Sequence, residues 1–236
     1  MQIHSDFSQR VVIQPEQYEF IDSPLAGVSR MMLERAGAEV ARATSIVRYQ
    51  PGSGYSAHTH TGGEEILVLD GVFSDEHGDY PAGTYLRNPP GTSHQPFSVK
   101  GCTLLVKLWQ FAEDDSTQQV IHTQHAQWLP GLVDGLSVLP LHEHQGVSTA
   151  LVRWAPHTQF NPHVHAGGEE ILVLEGMFCD EYGQYPAGSW LRNPRYSSHR
   201  PFTLAQGALI YVKVGHIDAG LMGDRFISPP TQSTSL

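Results

Sequence analysis

The chain has little of what commonly betrays a function. Only two cysteines, Cys102 and Cys179, occur in its 236 residues. No CxxC is present, so a disulfide framework, a zinc ribbon and a dithiol redox pair are not written here. Both thiols read as inert and suit a reducing compartment. No apolar run is long enough to span a bilayer. The N-terminus, Met1 to Ser8, lacks the basic-then-apolar order of a secretory signal. Positive charge is scarce: Lys and Arg number 14 against 24 Asp and Glu, for a net charge of −10. That balance argues against a nucleic-acid partner. A long 3.6-residue apolar period is also missing, although Met31-Met-Leu-Glu-Arg-Ala superficially resembles a turn of helix. The expectation is a cytoplasmic protein without a membrane or nucleic-acid partner.

What the chain does have is a repeat. Gly62–Phe97 and Gly167–Phe202 align without a gap, and 25 of the 36 positions are identical. Such self-similarity sets the architecture before any local propensity does. Similarity weakens upstream, where Leu136 to Pro140 aligns with the Met31 segment. Each repeat holds short β-branched or aromatic runs bounded by Gly and Pro, such as Ile46–Tyr49, Glu65–Leu69, Thr84–Arg87 and Thr103–Lys107. Many short strands at close spacing predict an all-β chain of two antiparallel barrels or jelly rolls. The divisions read as a first repeat over 1–111, a linker over 112–133, a second repeat over 134–228 and a mobile tail over 229–236.

The repeat carries a set of potential metal ligands. His58, His60, Glu64 and His94 recur as His163, His165, Glu169 and His199, each 105 residues on. Two histidines separated by one residue share a face of a strand. Glu64 has their parity and Glu65 does not, so Glu64 is taken as the ligand and Glu65 is placed outside or in a supporting role. Three imidazoles and a carboxylate suit a divalent transition metal, iron or zinc foremost, with manganese or nickel compatible. Such a set leaves coordination positions open. No separate catalytic acid or base is assigned.

Other residues read more plainly. Arg87 and Arg192, equivalent in the two repeats, are expected in structural ion pairs with the nearby Asp75-Glu76 and Asp180-Glu181 rather than on an anionic substrate. Tyr85 and Trp190, two residues earlier, are expected in aromatic packing. His142-x-His144 reads as a surface loop.

The spacing Gly52-x5-His58-x-His60-x3-Glu64-x6-Gly71 resembles the first cupin motif. Gly83-x5-Pro89-x-Gly91-x2-His94 resembles the second, with Ser98 where the motif ends in Asn. In the second repeat His157 and Tyr196 replace the glycines at 52 and 91, which puts the shape of that site in question while its ligands remain. The phrase Gly62–Gly91 is similar to the cupin domain of ChrR-type anti-sigma factors. That resemblance implies tandem double-stranded β-helix barrels holding zinc or a related metal and responding to oxidative signals. The family's sigma-binding helical domain, with its His/Cys zinc site, has no counterpart in residues 1–42. Similar cupins include small metal dioxygenases that cleave diketones. Two readings follow: a metal-dependent dioxygenase acting on a small molecule, or a zinc-binding sensory module. Duplication supplies paired barrels within one chain, so a monomer or a homodimer is expected.

Overall fold

A computed structural model describes residues 1–38 and 40–217. It is built of β-strands, and the only helical turn among the described residues is a short 3-10 segment, Pro15–Gln17. No helix there is long and apolar enough to cross a membrane. The tail assigned to 229–236 lies outside the described residues.

The two halves have the same topology. In the first, the main sheet runs Val28–Gly37, Ala41–Tyr49, Cys102–Leu108, Glu64–Asp75 and Thr84–Asn88 in spatial order, all antiparallel. In the second it runs Leu136–His144, Val147–Trp154, Phe202–Val214, Glu169–Asp180 and Trp190–Asn193. Shorter strands, among them His58–Thr59 with Ser93–His94, close each barrel opposite its main sheet. The segment resembling helix, Met31–Ala36, lies within the strand Val28–Gly37. Pairing along its whole length, with the β-branched Ile46 and Thr44 among its cross-strand partners, outweighs a weak local preference.

Each half receives one strand from outside its own repeat. Val11–Ile13 pairs with Trp190–Asn193 at the edge of the second sheet. Reciprocally, Gln119–His122, from the stretch after the first repeat, pairs with Thr84–Asn88 of the first.

Strand alternation sorts the core into three parts. One face of each sheet lines its own barrel: Val47, Ile66, Val68, Phe73 and Leu104 in the first, and Val152, Ile171, Val173, Phe178 and Ile210 in the second. The opposite faces pack on each other, and Met31, Leu33, Ile46, Leu67, Leu105, Leu139, Leu151, Leu172 and Tyr211 form one cluster between the barrels. Tyr85 and Trp190 are fully buried in that cluster, in the aromatic packing expected of them.

Register also corrects the alignment upstream of the repeat's conserved stretch. Val28 pairs with Tyr49 and Leu136 with Trp154, so Val28 and Leu136 are equivalent, not Met31 and Leu136. The first repeat's hairpin is three residues longer: five residues separate Ala36 from Arg42, and two separate His144 from Val147. The counterparts of His142 and His144 are therefore Glu34 and Ala36. Those histidines end a strand rather than sit in a loop, with His142 Nε2 2.8 Å from Asp115 and His144 Nε2 3.0 Å from Asp114.

Arg87 and Arg192 do form structural ion pairs, but with partners distant in sequence. Arg87 is held by Asp115 at 2.8 Å and Arg192 by Glu34 at 3.0 Å. Their strand parity turns them toward the interface between barrels, away from Asp75 and Asp180.

Candidate metal centre

Each four-residue set converges. In both sets the ligand atoms lie within 4.8 Å of one another. His58 stands directly opposite His94 on paired strands, and His163 opposite His199. His60 follows one residue beyond, its amide bonded to the Thr92 carbonyl at 2.8 Å. Glu64 comes from the main sheet, after Gly63 has turned the chain at φ +77°. The shared parity of His58, His60 and Glu64 therefore spans a break, and it is the turn that aims Glu64 inward. Glu65 faces the other barrel.

The donor spacings fit an ion. His60 Nε2 is 3.2 Å from His94 Nε2 and 3.1 Å from Glu64 Oε2, and His94 Nε2 is 3.5 Å from that oxygen. The equivalent edges in the second site are 3.1, 3.4 and 3.6 Å. Donors at about 2.1 Å from a common centre are separated by roughly 3.0 to 3.4 Å in octahedral or tetrahedral geometry.

The outer nitrogens set the tautomer that each ring presents. His58 Nδ1 donates to the Ser56 carbonyl at 3.0 Å. His94 Nδ1 donates to Asp75 Oδ2 at 3.3 Å. Thr92 donates its hydroxyl proton to the Pro89 carbonyl at 2.7 Å, so its oxygen accepts from His60 Nδ1 at 3.0 Å. All three rings thus present an unprotonated Nε2 to one point, together with a carboxylate. Four lone pairs converging on one point repel unless a cation lies between them, and such outer hydrogen bonds fix the tautomer that binds metal.

The second site repeats most of this arrangement. His163 Nδ1 is 3.0 Å from the Asn161 carbonyl, and His199 Nδ1 is 3.4 Å from Asp180 Oδ2. Asn193 donates to Glu169 at 2.9 Å, where Asn88 reaches Glu64 at 3.4 Å. His157 and Tyr196, which replace glycines, adopt φ of +57° and +60°, the same left-handed region as Gly52 and Gly91. The turns are kept at a conformational cost, and the ligands stay in place. Ser197, the counterpart of Thr92, bonds the Pro194 carbonyl at 2.6 Å, with no bond to His165 among the described contacts.

Electrostatics separate the sites further. Burial favours the protonated form of Glu64, but where the imidazoles take up a second proton the His60 hydrogen bond and their charges outweigh it and hold the carboxyl below its ordinary range. Burial pushes His94 down, and it also pushes down His163 and His165. His199 goes the other way: burial opposes its charge, yet Asp180 and Glu169 prevail and raise it. In the sequence, Asp75 and Asp180 read as arginine partners rather than as supports for the histidines, and Thr92 is not singled out. Asp75 and Asp180 do recur 105 residues apart, a signal equal to that of the ligands. Cys102 and Cys179 are buried and free; burial raises the Cys102 thiol to about 11 and also raises Cys179.

The first site opens on a cavity of about 280 Å³, walled by Val47, Tyr49, Ile66, Phe73, Leu104 and Val106 besides the ligands. Trp109 stands at its edge in the left-handed region, φ +57°, where the second repeat has Gly215 at +85°. Gly62 makes room for that indole, since a Cβ there would fall 2.0 Å from Trp109 Cδ2.

Similar folds are known. A candidate dioxygenase from Nostoc punctiforme superposes with a TM-score of 0.73 at 15% identity, over 95% of this chain and 85% of that one. A glyoxylate-induced protein candidate from Pseudomonas aeruginosa gives 0.68 at 14% identity, over 86% and 87%. Oxalate decarboxylase of Bacillus subtilis, with its Mn(II) centres, gives 0.62 at 12% identity, over 88% and 77%. No curated protein matches the sequence. The model of the ChrR cupin-like domain matches twice, over residues 8–112 and 116–218. With two such domains filling most of its length, each built around three histidines and a glutamate, the chain belongs to the ChrR cupin-like family.

Proposed function

We propose that this chain is a divalent-transition-metal enzyme whose first barrel oxidises a small molecule with dioxygen, as mononuclear dioxygenases do. The cavity beside His58, His60, Glu64 and His94 carries this reading. A structural metal is closed off by its ligands, whereas a catalytic one faces open volume. Bound there, iron or manganese would supply open coordination positions and redox chemistry. The protein's part is to hold the three imidazoles in one tautomer, to offset metal charge with Glu64, and to keep water out with an apolar wall. The fold shared with a candidate dioxygenase and with a manganese-containing decarboxylase supports the reading.

The family match favours a second reading, a zinc-holding module that reports oxidants. With Cys102 and Cys179 buried and their thiols raised, any such response would fall to the metal sites.

Elemental analysis of untagged protein from cells grown with mixed trace metals separates the two. The enzyme reading expects iron or manganese near two per chain, and oxygen uptake with diketones that is lost in His60→Ala. Zinc at both sites without oxygen uptake would overturn it in favour of the sensor.

A further inference from the structure

We propose that the first barrel binds its small molecule through a carboxylate, with Arg30 as the residue that takes the charge; this rests on reading that barrel as the one that handles a small molecule. The strand Val28–Gly37 forms the wall of the cavity farthest along the sheet from Glu64. Register links Glu64 to Leu108, Leu108 to Ala43, and Ala43 to Arg35. Three strand spacings of about 4.8 Å put Arg35 roughly 14 Å from Glu64 around the curved wall. Arg30 occupies another row, opposite Val47, which is opposite Leu104. Both guanidinium-bearing residues line the cavity, which is otherwise mainly apolar on this side. A ligand anchored there by its charge would have its apolar body against Val47, Leu104 and Val106 and its far end toward the metal ligands.

Arg30 differs from the other arginines of the core. Arg42 and Arg192 share Glu34, and Arg87 holds Asp115. Arg48 lies 3.7 Å from the centre of the Phe20 ring and Arg153 4.2 Å from that of Trp128. Arg30 makes no hydrogen bond or ion pair among the described residues, and it is half-buried. Arg35 donates to the Ala38 carbonyl and adds a second positive charge to the wall. Burial, and then the charge of Arg30, hold the Arg35 guanidinium below its ordinary value. A half-buried guanidinium such as that of Arg30, with no protein partner among the described residues and set on the wall of a cavity, is best offset by an anion.

The second barrel lacks the device. By register Val138 stands where Arg30 does, and Glu143 where Arg35 does. Ser45 and Tyr55 likewise become Ala150 and Phe160. The two ligand sets are alike, and the walls around them are not. A cavity at the small end of the usual range for ligand sites, about 300 Å³ and upward, suits a ligand of modest size.

The test is isothermal titration of benzoate and of benzamide, its neutral isostere, into wild type and Arg30→Gln, each with metal content measured and each repeated after chelation. Charge-assisted bonds predict tighter binding of benzoate than of benzamide by about tenfold or more in wild type. Arg30→Gln should erase that preference and leave benzamide binding and metal content unchanged. Arg30→Lys, which keeps the charge, should retain part of it and guards against a misfolded variant. Equal binding of the two probes, binding of neither, or a preference that survives in Arg30→Gln would overturn the proposal. A preference lost on chelation would assign the carboxylate to the metal and overturn it too. If the preference depends on Arg30 while no metal is found, the anion site stands and the metal-enzyme reading falls.

Discussion

Lys107 of the first repeat donates to both carboxylate oxygens of Glu170 in the second, at 2.6 Å each, and the equivalent Lys213 returns the contact to Glu65. Glu65 and Glu170 each immediately follow a proposed metal ligand. Glu65 also accepts from Tyr85 at 2.9 Å and Tyr211 at 2.7 Å, and Glu170 from Trp190 at 2.9 Å and His216 at 3.0 Å. The charges are thus buried between the barrels with most of their hydrogen-bonding capacity used.

Breaking one side of this exchange should be costly. Glu170→Gln leaves Lys107 charged and buried, and removal of one partner of a buried pair costs about 3 to 5 kcal/mol. The urea midpoint should fall accordingly. Lys107→Met combined with Glu170→Leu should recover part of the loss. A single variant as stable as wild type would show that the pair contributes little.

The same carboxylates predict sensitivity to acid. Burial raises the Glu65 pKa, but Lys213 and Lys107 outweigh it and bring it from an ordinary 4.5 to about 2. A folded-state value below the unfolded one gives stability that is complete above the unfolded value and is lost as pH falls toward the folded one. The shift is worth about 3 kcal/mol. Urea midpoints measured from about pH 6 to about pH 3 should decline, and the decline should be shallower in Glu65→Gln. A flat wild-type profile over that range would refute the assignment.

Thr92 and Ser197 offer a test confined to one site. Thr92→Val removes the acceptor that orients His60, and loss of such an outer partner lowers metal affinity about 10- to 100-fold. Ser197→Ala, with no bond to His165 to lose, should leave the second site near its wild-type affinity. Competition with a chromophoric chelator would resolve the two sites, and equal weakening by both variants would contradict the tautomer argument.

Gly62 and Gly167 should differ in tolerance. A Cβ at Gly62 meets the Trp109 side chain, whereas one at Gly167 meets the Gly215 backbone, its Cα at 2.6 Å. Gly62→Ala should displace the indole, change the near-ultraviolet circular dichroism and cost about 1 to 3 kcal/mol. Gly167→Ala should lower the melting temperature more, because backbone cannot swing aside.

Much of this was legible in the chain. The eight ligands recur in register, and Gly–Gly, Pro–Pro and alternating apolar runs mark the strands around them. Asp75 and Asp180 were equally repeated, but a carboxylate at the end of a strand has many common uses. The partners of Arg87 and Arg192 were hidden because pairing across 28 and 158 residues leaves no local trace. The three-residue shift of the strands Val28–Gly37 and Leu136–His144 went unseen because strands tolerate substitution wherever volume and parity are kept, so little identity remains to fix the register. The cavity's arginines lie in that stretch, which is why the asymmetry of the barrels emerges only from hydrogen-bond register.

The reciprocal loan of Val11–Ile13 and Gln119–His122 between halves is the pattern of a strand-exchanged dimer whose two copies have been joined end to end. In a true homodimer every substitution is made twice. Here Arg30 could be gained without disturbing Val138, and Trp109 without disturbing Gly215, so one chamber is free to change its occupant while its twin keeps the scaffold standing.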